Sequence, residues 1–220
     1  LDALPGGRGA SGGVPSGRRV AVYLGTLSML RRRELETMID AALEVEKTYP
    51  EFELLVIGES ESADEKGWLQ RYAEARGATR CVRFLGWVPY DKGLRLASEA
   101  SVGVSPVPRG ELFDMGSPTK AIEYMALRLP VVCNDQPDQA QVIRDSGGGF
   151  CVDLSPAAFA AAIVQLLRDP DSAVRMGSAG HDWVRQHRDY RRLAAEVAAT
   201  LRSGCQLREA SAGRRLPPAD

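Results

Sequence analysis

Short apolar runs alternate with amphipathic segments along most of this chain. The apolar runs predict strands at 20–24, 52–57, 82–85, 101–107, 130–133 and 150–152. Apolar residues at helical spacing predict helices at 32–47, 64–75, 90–100, 139–144 and 156–167, another beginning at Ser117, and a long last one at 178–201, broken near Asp189. Apolar strands that alternate with helices indicate a parallel sheet covered on both faces. We therefore predict an α/β fold with a doubly wound, Rossmann-like parallel sheet.

Both ends of the chain differ from this alternation. Residues 1–18 are rich in glycine and contain Pro5 and Pro15, and residues 204–220 are polar with Pro217 and Pro218. We predict a flexible linker at 1–18, a folded domain at 19–203 and a flexible tail at 204–220.

The composition of the chain speaks against several classes of protein. Hydrophobic residues make up 44% of the chain and charged residues 26%, which is typical of a globular protein. The net charge of −1 speaks against a nucleic-acid binder. No run approaches the ~18 apolar residues of a membrane helix, and the first residues do not resemble a signal peptide. We expect a cytoplasmic location.

The cysteines and histidines predict little chemistry of their own. The four cysteines lack the short spacing of a metal site or a redox pair, and Cys133 and Cys151 lie in apolar runs where cysteine acts as a small hydrophobe. We expect free thiols. Only two histidines are present, both in a late polar helix, which speaks against a histidine-dependent centre within this chain.

The most informative stretch is residues 117–126, followed by an apolar strand. Ser117 and Pro118 open a short helix, and proline is well tolerated in the first turn. The free N–H groups of such a turn, with Thr119 at its start, can bind a phosphate. Glu123 lies deeper in the helix, where it could accept hydrogen bonds from a ribose. The alternative is an ordinary helix start with a solvated glutamate.

Other candidate residues follow the remaining strands, where parallel sheets bind ligands. Gly25 and Thr26 follow the first strand, and Arg31, Arg32 and Arg33 come next, at a helix end where cations are disfavoured unless an anion is near. A guanidinium could grip a diphosphate there.

The turn after the third strand contains Trp87 and Val88. Its backbone could contact a nucleobase, but Trp87 could equally be a packing residue.

Taken in order, these segments resemble the C-terminal domain of GT-B-fold, retaining, nucleotide-sugar glycosyltransferases of family four. The matching segments are 23–27, 84–89, 117–126, 130–137, 146–149 and 166–170. The resemblance covers residues 19–200 and implies one nucleotide-sugar-binding domain of a GT-B architecture. It implies a UDP- or GDP-sugar donor, no cofactor and no metal.

The resemblance also implies roles for individual residues. Glu123 matches the second acid of the Glu-x7-Glu motif, which binds the donor ribose, and Arg31 lies near the family's basic residue on the diphosphate. We take these two as the catalytic residues. The remaining donor-binding candidates are Gly25, Thr26, Arg32, Arg33, Trp87, Val88, Ser117, Pro118 and Thr119.

The chain departs from the family pattern in three ways. The first acid of the motif falls at Met115, for which Asp114 or Glu111 could stand in. Arg128 occupies a turn where the family has glycine, which would cost on the order of 1 kcal/mol if the turn needs positive φ. The N-terminal domain, which carries acceptor recognition, is missing and is the expected partner; it would also provide any peripheral contact with a membrane.

Two other classes of protein are open from the sequence. One is a different enzyme of this architecture, such as a nucleotide-sugar epimerase or a phosphorylase that binds pyridoxal through a lysine. The other is a non-catalytic module that binds a nucleotide or docks a partner, which the missing domain and Met115 favour.

Overall fold

Six parallel strands form one sheet in the computed structural model, which describes residues 19–212. The strands in chain order are β1 (Val20–Leu24), β2 (Glu53–Ile57), β3 (Val82–Gly86), β4 (Val102–Ser105), β5 (Val131–Asn134) and β6 (Gly149–Val152). Their spatial order is β3-β2-β1-β4-β5-β6, and every pairing is parallel. The doubly wound sheet predicted from the apolar runs is confirmed.

Helices connect the strands and cover both faces of the sheet. In chain order they are α1 (Arg32–Thr48), α2 (Trp68–Ala75), α3 (Tyr90–Ser98), α4 (Glu111–Asp114), α5 (Thr119–Ala126), α6 (Pro137–Ser146), α7 (Pro156–Arg168), α8 (Pro170–His187) and α9 (Tyr190–Ala212). Within residues 19–212, no helix has both the length and the apolar content needed to cross a bilayer.

Two buried clusters hold these layers together, one on each face. The first contains side chains of α1, α2 and α7 with Ala21 and Tyr23 of β1. The second contains side chains of α3, α5 and α6 with Val20 and Val22 of the same strand. Successive side chains of a strand point to opposite faces, so β1 contributes to both clusters and lies at the centre of the fold.

The strand order reverses between β1 and β4, where the loops that follow these two strands diverge. In open parallel sheets this switch point is the usual ligand crevice. The side chain of Tyr124 fixes the geometry there. The Tyr124 ring packs over Gly103 of β4, and its hydroxyl accepts a 2.8 Å hydrogen bond from the Leu24 N–H. The beginning of α5 is thereby held against the end of β1.

Several boundaries differ from the sequence prediction. The predicted helix at 64–75 is split, because Gly67 adopts a left-handed conformation (φ 69°) immediately before α2. Asp169 does not simply end a helix: its side chain caps the next one, so α8 begins at Pro170 rather than at 178. The break expected near Asp189 is present between α8 and α9.

The predicted end of the folded domain, at residue 203, lies within the described residues. Helix α9 continues to Ala212, so the boundary expected at residue 203 falls inside a helix, and residues 204–212 of the expected flexible tail are helical. The linker expected at 1–18 and the last residues, 213–220, lie outside the described residues.

Candidate functional site

The loop after β1 lies directly against α5. Gly25 continues the sheet pairing by donating its N–H to the Ile57 carbonyl at 2.9 Å. A Cβ atom at Gly25 would lie only 2.7 Å from Nζ of Lys120, which reaches across from α5. A larger residue at this position would have to displace the lysine ammonium and would adopt the unfavourable backbone conformation of Gly25 (φ 158°). Thr26 is exposed beside it, and its carbonyl accepts the Tyr23 hydroxyl at 3.1 Å.

The N-terminus of α5 has no side-chain cap. Its N-cap residue is Pro118, and no side chain within residues 19–203 caps the first turn. The N–H groups of the first turn of a helix have no partner within the helix, and the helix dipole favours an anion beside them. The first turn, which begins at Thr119, is therefore open to a ligand.

The Ser117 hydroxyl is not part of that opening. It donates to Asp138 Oδ2 at 2.7 Å, and Arg188 donates to Oδ1 of the same aspartate at 2.8 Å. The sequence placed Ser117 among the donor-binding residues, but its hydroxyl proton is already held by a carboxylate. The backbone at 119–121, rather than this hydroxyl, is what the helix start offers to a phosphate.

Two cations converge beside this helix start. Lys120 lies partly buried with its ammonium 5.1 Å from the centroid of the Tyr23 ring. The Arg31 guanidinium lies 5.7 Å from the centroid of the Phe113 ring, and its charge opposes the rise in the pKa of the nearby Tyr23 phenol that burial causes. Within the described part of the chain, neither forms an ion pair with a carboxylate. Buried charges are normally paired, so this pair of cations lacks an anion.

The electrostatics of the pair follow from burial. Burial, and then the nearby Arg31 charge, lower the pKa of Lys120 to about 8, while Glu123 acts in the opposite direction. Burial likewise raises the pKa of the Tyr23 phenol to about 12. An anion between Lys120 and Arg31 would relieve both the desolvation and the repulsion. Lys120 is a candidate that the sequence analysis missed, although it lies within the motif that predicted the site.

The three consecutive arginines have different environments. Arg31 ends a short 3-10 helix (Met29–Arg31) and is the one that reaches Tyr23. Arg32 is the first residue of α1 and pairs with Glu36 at 2.7 Å, one helical turn further on. Arg33 is exposed. The structure thus brings Arg31 to the candidate site and engages Arg32 elsewhere.

Glu123 is held by the first residue of α3. The Tyr90 hydroxyl donates to Glu123 Oε1 at 3.0 Å, and burial followed by the Glu123 charge raises the pKa of Tyr90 to about 12. Glu123 is partly buried, one turn below Lys120 on α5. Its second oxygen is the one that a sugar hydroxyl can use. The sequence gave no role to Tyr90, although an aromatic residue directly after the 86–89 turn was the available signal.

The turn before Tyr90 contains the predicted base-contact residues. Gly86 adopts a left-handed conformation with φ 67°. Val88 packs against the second buried cluster, whereas Trp87 is 71% exposed. Trp87 is therefore not a core residue, and its ring is available at the same end of the sheet as Glu123.

The loop between β4 and α5 is anchored by buried amides. Asn134 exchanges two 2.8 Å hydrogen bonds with the backbone of Val107. Gln136 donates to the carbonyls of Phe113 and Gly116 at 2.8 and 2.9 Å. The sequence suggested no role for 134–136 beyond a polar helix start, but these side chains hold the loop that leads to α5.

The candidate substitutes for the first acid are placed differently. Asp114 forms a two-oxygen contact with Arg109, at 2.8 and 3.3 Å, which lowers the pKa of its carboxyl group. Arg109 also binds Asp135. Met115 is 89% exposed, and Glu111 is exposed on α4. Asp114 is thus neutralised by its neighbour, and Glu111 is the acid without such a partner.

Comparison with known proteins identifies relatives of this chain. The chain is 26% identical over 190 residues to a phosphatidyl-myo-inositol mannosyltransferase of Mycobacterium tuberculosis, covering 84% of the chain and 47% of the relative. It is 28% identical over 196 residues to a GDP-mannose-dependent alpha-(1-6)-phosphatidylinositol monomannoside mannosyltransferase of Mycolicibacterium smegmatis, covering 88% of the chain and 50% of that protein. The chain thus spans about half the length of these relatives.

Solved structures share the fold. Sucrose-phosphate synthase from Thermosynechococcus elongatus superposes with a TM-score of 0.71 at 22% identity, covering 88% of this chain and 47% of that one. Anabaena HepE in complex with UDP gives a TM-score of 0.68 at 20% identity, covering 84% and 49%. A family model described as "Glycosyl transferases group 1" matches residues 18–169, more than half of the chain and all of the strands that build the crevice. The chain therefore belongs to the group 1 glycosyl transferases.

Proposed function

We propose that this chain is the donor-binding half of a glycosyltransferase that transfers a sugar from a nucleoside-diphosphate sugar with retained configuration. The observation that carries the proposal is the pair Lys120 and Arg31 beside the uncapped start of α5, two cations for which residues 19–203 provide no carboxylate in an ion pair. A diphosphate supplies the missing negative charge, and backbone N–H groups of the first turn add hydrogen bonds to it.

The remaining contacts fit the rest of a nucleotide. Glu123, oriented by Tyr90, has one carboxylate oxygen left for the ribose hydroxyls. The turn at Trp87 and Val88 lies where the base would extend over the ends of β2 and β3. During transfer, negative charge grows on the departing diphosphate, and preorganised cations stabilise that charge better than reorienting water does.

GDP-mannose is the donor we favour. Two of the named relatives are mannosyltransferases, and one of their names specifies GDP-mannose. UDP-sugars remain the competing class, since a UDP complex occurs among the proteins that share the fold. The acceptor would be recognised by a separate N-terminal domain, the partner that the family resemblance implies.

We propose that the reaction needs no metal or other cofactor. Lys120 and Arg31 supply the positive charge that a divalent cation would otherwise bring to the diphosphate. Among the side chains of residues 19–203, no group of three or more His, Cys, Asp or Glu is positioned to hold a metal ion. Nucleotide binding that is unchanged in excess EDTA is the expected result.

A non-catalytic nucleotide-binding module is the second candidate. Met115 stands at the position of the first acid, and Asp114 is engaged by Arg109. If neither Glu111 nor another acid reaches the donor sugar, the chain would bind the nucleotide without activating the sugar. Activity of the full-length protein with GDP-mannose distinguishes this module from an enzyme.

Isothermal titration of the purified chain with GDP, UDP and GMP tests the proposal. We expect GDP to bind more tightly than GMP, because the second phosphate reaches the cations. Charge-assisted hydrogen bonds contribute about 1.5–3 kcal/mol each, so Lys120→Met should weaken GDP binding by roughly 10- to 100-fold and GMP binding by less.

Matched variants make the result specific. Glu123→Ala should weaken GDP and GMP equally, because both contain the ribose. Arg175→Met, which removes an exposed cation of α8, should leave all affinities unchanged. Equal losses for GDP and GMP in Lys120→Met, or no binding of any nucleotide at millimolar concentration, would refute the site.

A further inference from the structure

Two cysteines face each other across β5 and β6. Cys133 and Cys151 are direct partners in the parallel register of these strands. Phe150 and Val152 pack against the first buried cluster, so Cys151 between them points to the opposite face, and Cys133 belongs to the second cluster on that face. The two thiols therefore lie side by side on the same face of the sheet.

Their surroundings give them different reactivity. Cys133 is fully buried, whereas Cys151 is exposed on β6, which is the edge strand of the described sheet. The interaction between the neighbouring thiols raises the pKa of Cys133 and lowers the pKa of Cys151. Thiolates are the reactive form of cysteine. The exposed Cys151 therefore has the larger share of the reactive form, and the Cys133 thiol lies beside it.

We propose that Cys133 and Cys151 form a redox site, in which a hydroperoxide converts the dithiol reversibly into a cross-strand disulfide. The class of reactant is a small hydroperoxide such as hydrogen peroxide, which reaches the exposed edge. The sequence predicted only small hydrophobic residues here, because nearness across strands is not visible in the spacing of 133 and 151.

The chemistry proceeds in two balanced steps. The Cys151 thiolate attacks one oxygen of hydrogen peroxide; an S–O bond forms, the O–O bond breaks, and hydroxide leaves and is protonated to water. The Cys133 sulfur then attacks the Cys151 sulfur; the S–S bond forms, the S–O bond breaks, and the second water leaves with the Cys133 proton. Two thiols and one peroxide give one disulfide and two waters. A dithiol reductant reverses the reaction by exchange.

Oxidation at this place would reach the candidate donor site. Asn134, which follows Cys133 directly, holds Val107 through two hydrogen bonds and also accepts from Gln139. Drawing two sulfur atoms to a bond length of about 2.05 Å shifts the end of β5 and therefore this network. We expect weaker GDP binding by the oxidised chain, a consequence that rests on the proposed function.

The experiment uses the full chain and peptide mapping. The reduced protein is treated with hydrogen peroxide, remaining thiols are alkylated, and the product is digested with trypsin without reduction. Cleavage at Arg128, Arg144 and Arg168 places the two cysteines on adjacent peptides, 129–144 and 145–168. We expect these two peptides to be joined, and an intact mass about 2 Da lower that returns to its original value with dithiothreitol.

Variants separate the pair from other thiols. Cys205→Ser should still give the joined peptides. Cys133→Ala should instead leave Cys151 as an oxygenated or intermolecularly linked thiol, and Cys151→Ser should leave Cys133 reduced. Recovery of peptides 129–144 and 145–168 as separate species from oxidised wild type would overturn the proposal, as would linkage of either cysteine mainly to Cys81 or Cys205.

Titration with GDP tests the coupling. The oxidised wild type should bind GDP severalfold more weakly than the reduced form, and Cys151→Ser should not respond to peroxide. A disulfide that forms without changing GDP affinity would refute the coupling between the two cysteines and the loop between β4 and α5. If the reduced chain binds no nucleotide, the proposed function fails, whereas the peptide map still decides the redox site.

Discussion

If the chain binds a nucleoside diphosphate as proposed, the ammonium of Lys120 should make that binding sensitive to pH by an amount that can be calculated. In the free chain its pKa is lowered to about 8, chiefly by burial and then by the Arg31 charge. The negative charge of a bound diphosphate offsets the effects of burial and of Arg31, so in the complex we expect a pKa near the ordinary value of 10.5. Binding therefore favours the protonated lysine and takes up a proton.

The magnitude follows from the two pKa values. The lysine is about 90% protonated at about pH 7 and about one quarter protonated at about pH 8.5, while in the complex it stays charged at both. The affinity for GDP should therefore fall about fourfold over this interval. At about pH 8 each GDP bound should take up about half a proton.

Calorimetry measures both quantities. GDP is titrated at a series of pH values, and at about pH 8 in buffers with different ionisation enthalpies, which gives the number of protons taken up. In Lys120→Arg the cation stays charged throughout, because the guanidinium does not lose its proton in this range. The fall in affinity and the proton uptake should both disappear in that variant.

The same titrations can refute the reasoning. A fourfold fall in Lys120→Arg as large as in wild type would show that another group, on the protein or on the nucleotide, is responsible. Constant wild-type affinity over the interval would show that Lys120 does not contact the diphosphate or is not desolvated without it.

Three further predictions concern individual positions. Arg128 adopts a left-handed conformation (φ 61°), so Arg128→Gly should raise the free energy of unfolding by up to about 1 kcal/mol in urea titrations, whereas Arg128→Ala, which keeps the strain, should not; a loss of stability in both would show that the side chain matters more. Gly25→Ala should weaken GDP binding at least severalfold, because its Cβ would lie 2.7 Å from Lys120 Nζ; unchanged binding would mean that Lys120 can move aside freely. Tyr90→Phe should raise the Kd for GDP and GMP by a similar factor of about 3–10, since one hydrogen bond to a charged Glu123 is lost; an effect on GDP alone would contradict a role at the ribose.

The apolar pattern was sufficient for much of the fold. Buried parallel strands are apolar along their whole length and helices are apolar every third or fourth residue, and these local periods placed β1 to β6 in the chain. The strained turn at Arg128 was likewise anticipated, because a family glycine there implied positive φ, and the structure has φ 61°.

Contacts between side chains that are distant in sequence were decided only by the tertiary structure. Lys120 and Arg31 are separated along the chain, and only the switch point between β1 and β4 brings them to Tyr23. From the sequence, the hydroxyl of Ser117 was a candidate to bind the donor. In the structure it donates a hydrogen bond to Asp138 of α6 instead.

The same limit explains the remaining differences. The local pattern of apolar residues predicts secondary structure and burial. It does not predict which polar group a side chain contacts. Arg32 forms an ion pair with Glu36 on its own helix. Cys133 lies opposite Cys151 on the neighbouring strand, and Asn134 accepts a hydrogen bond from Val107 in the loop between β4 and α5. Periodicity along the chain therefore determined the secondary structure of this protein, while packing in three dimensions determined which of its charges and thiols are left to react.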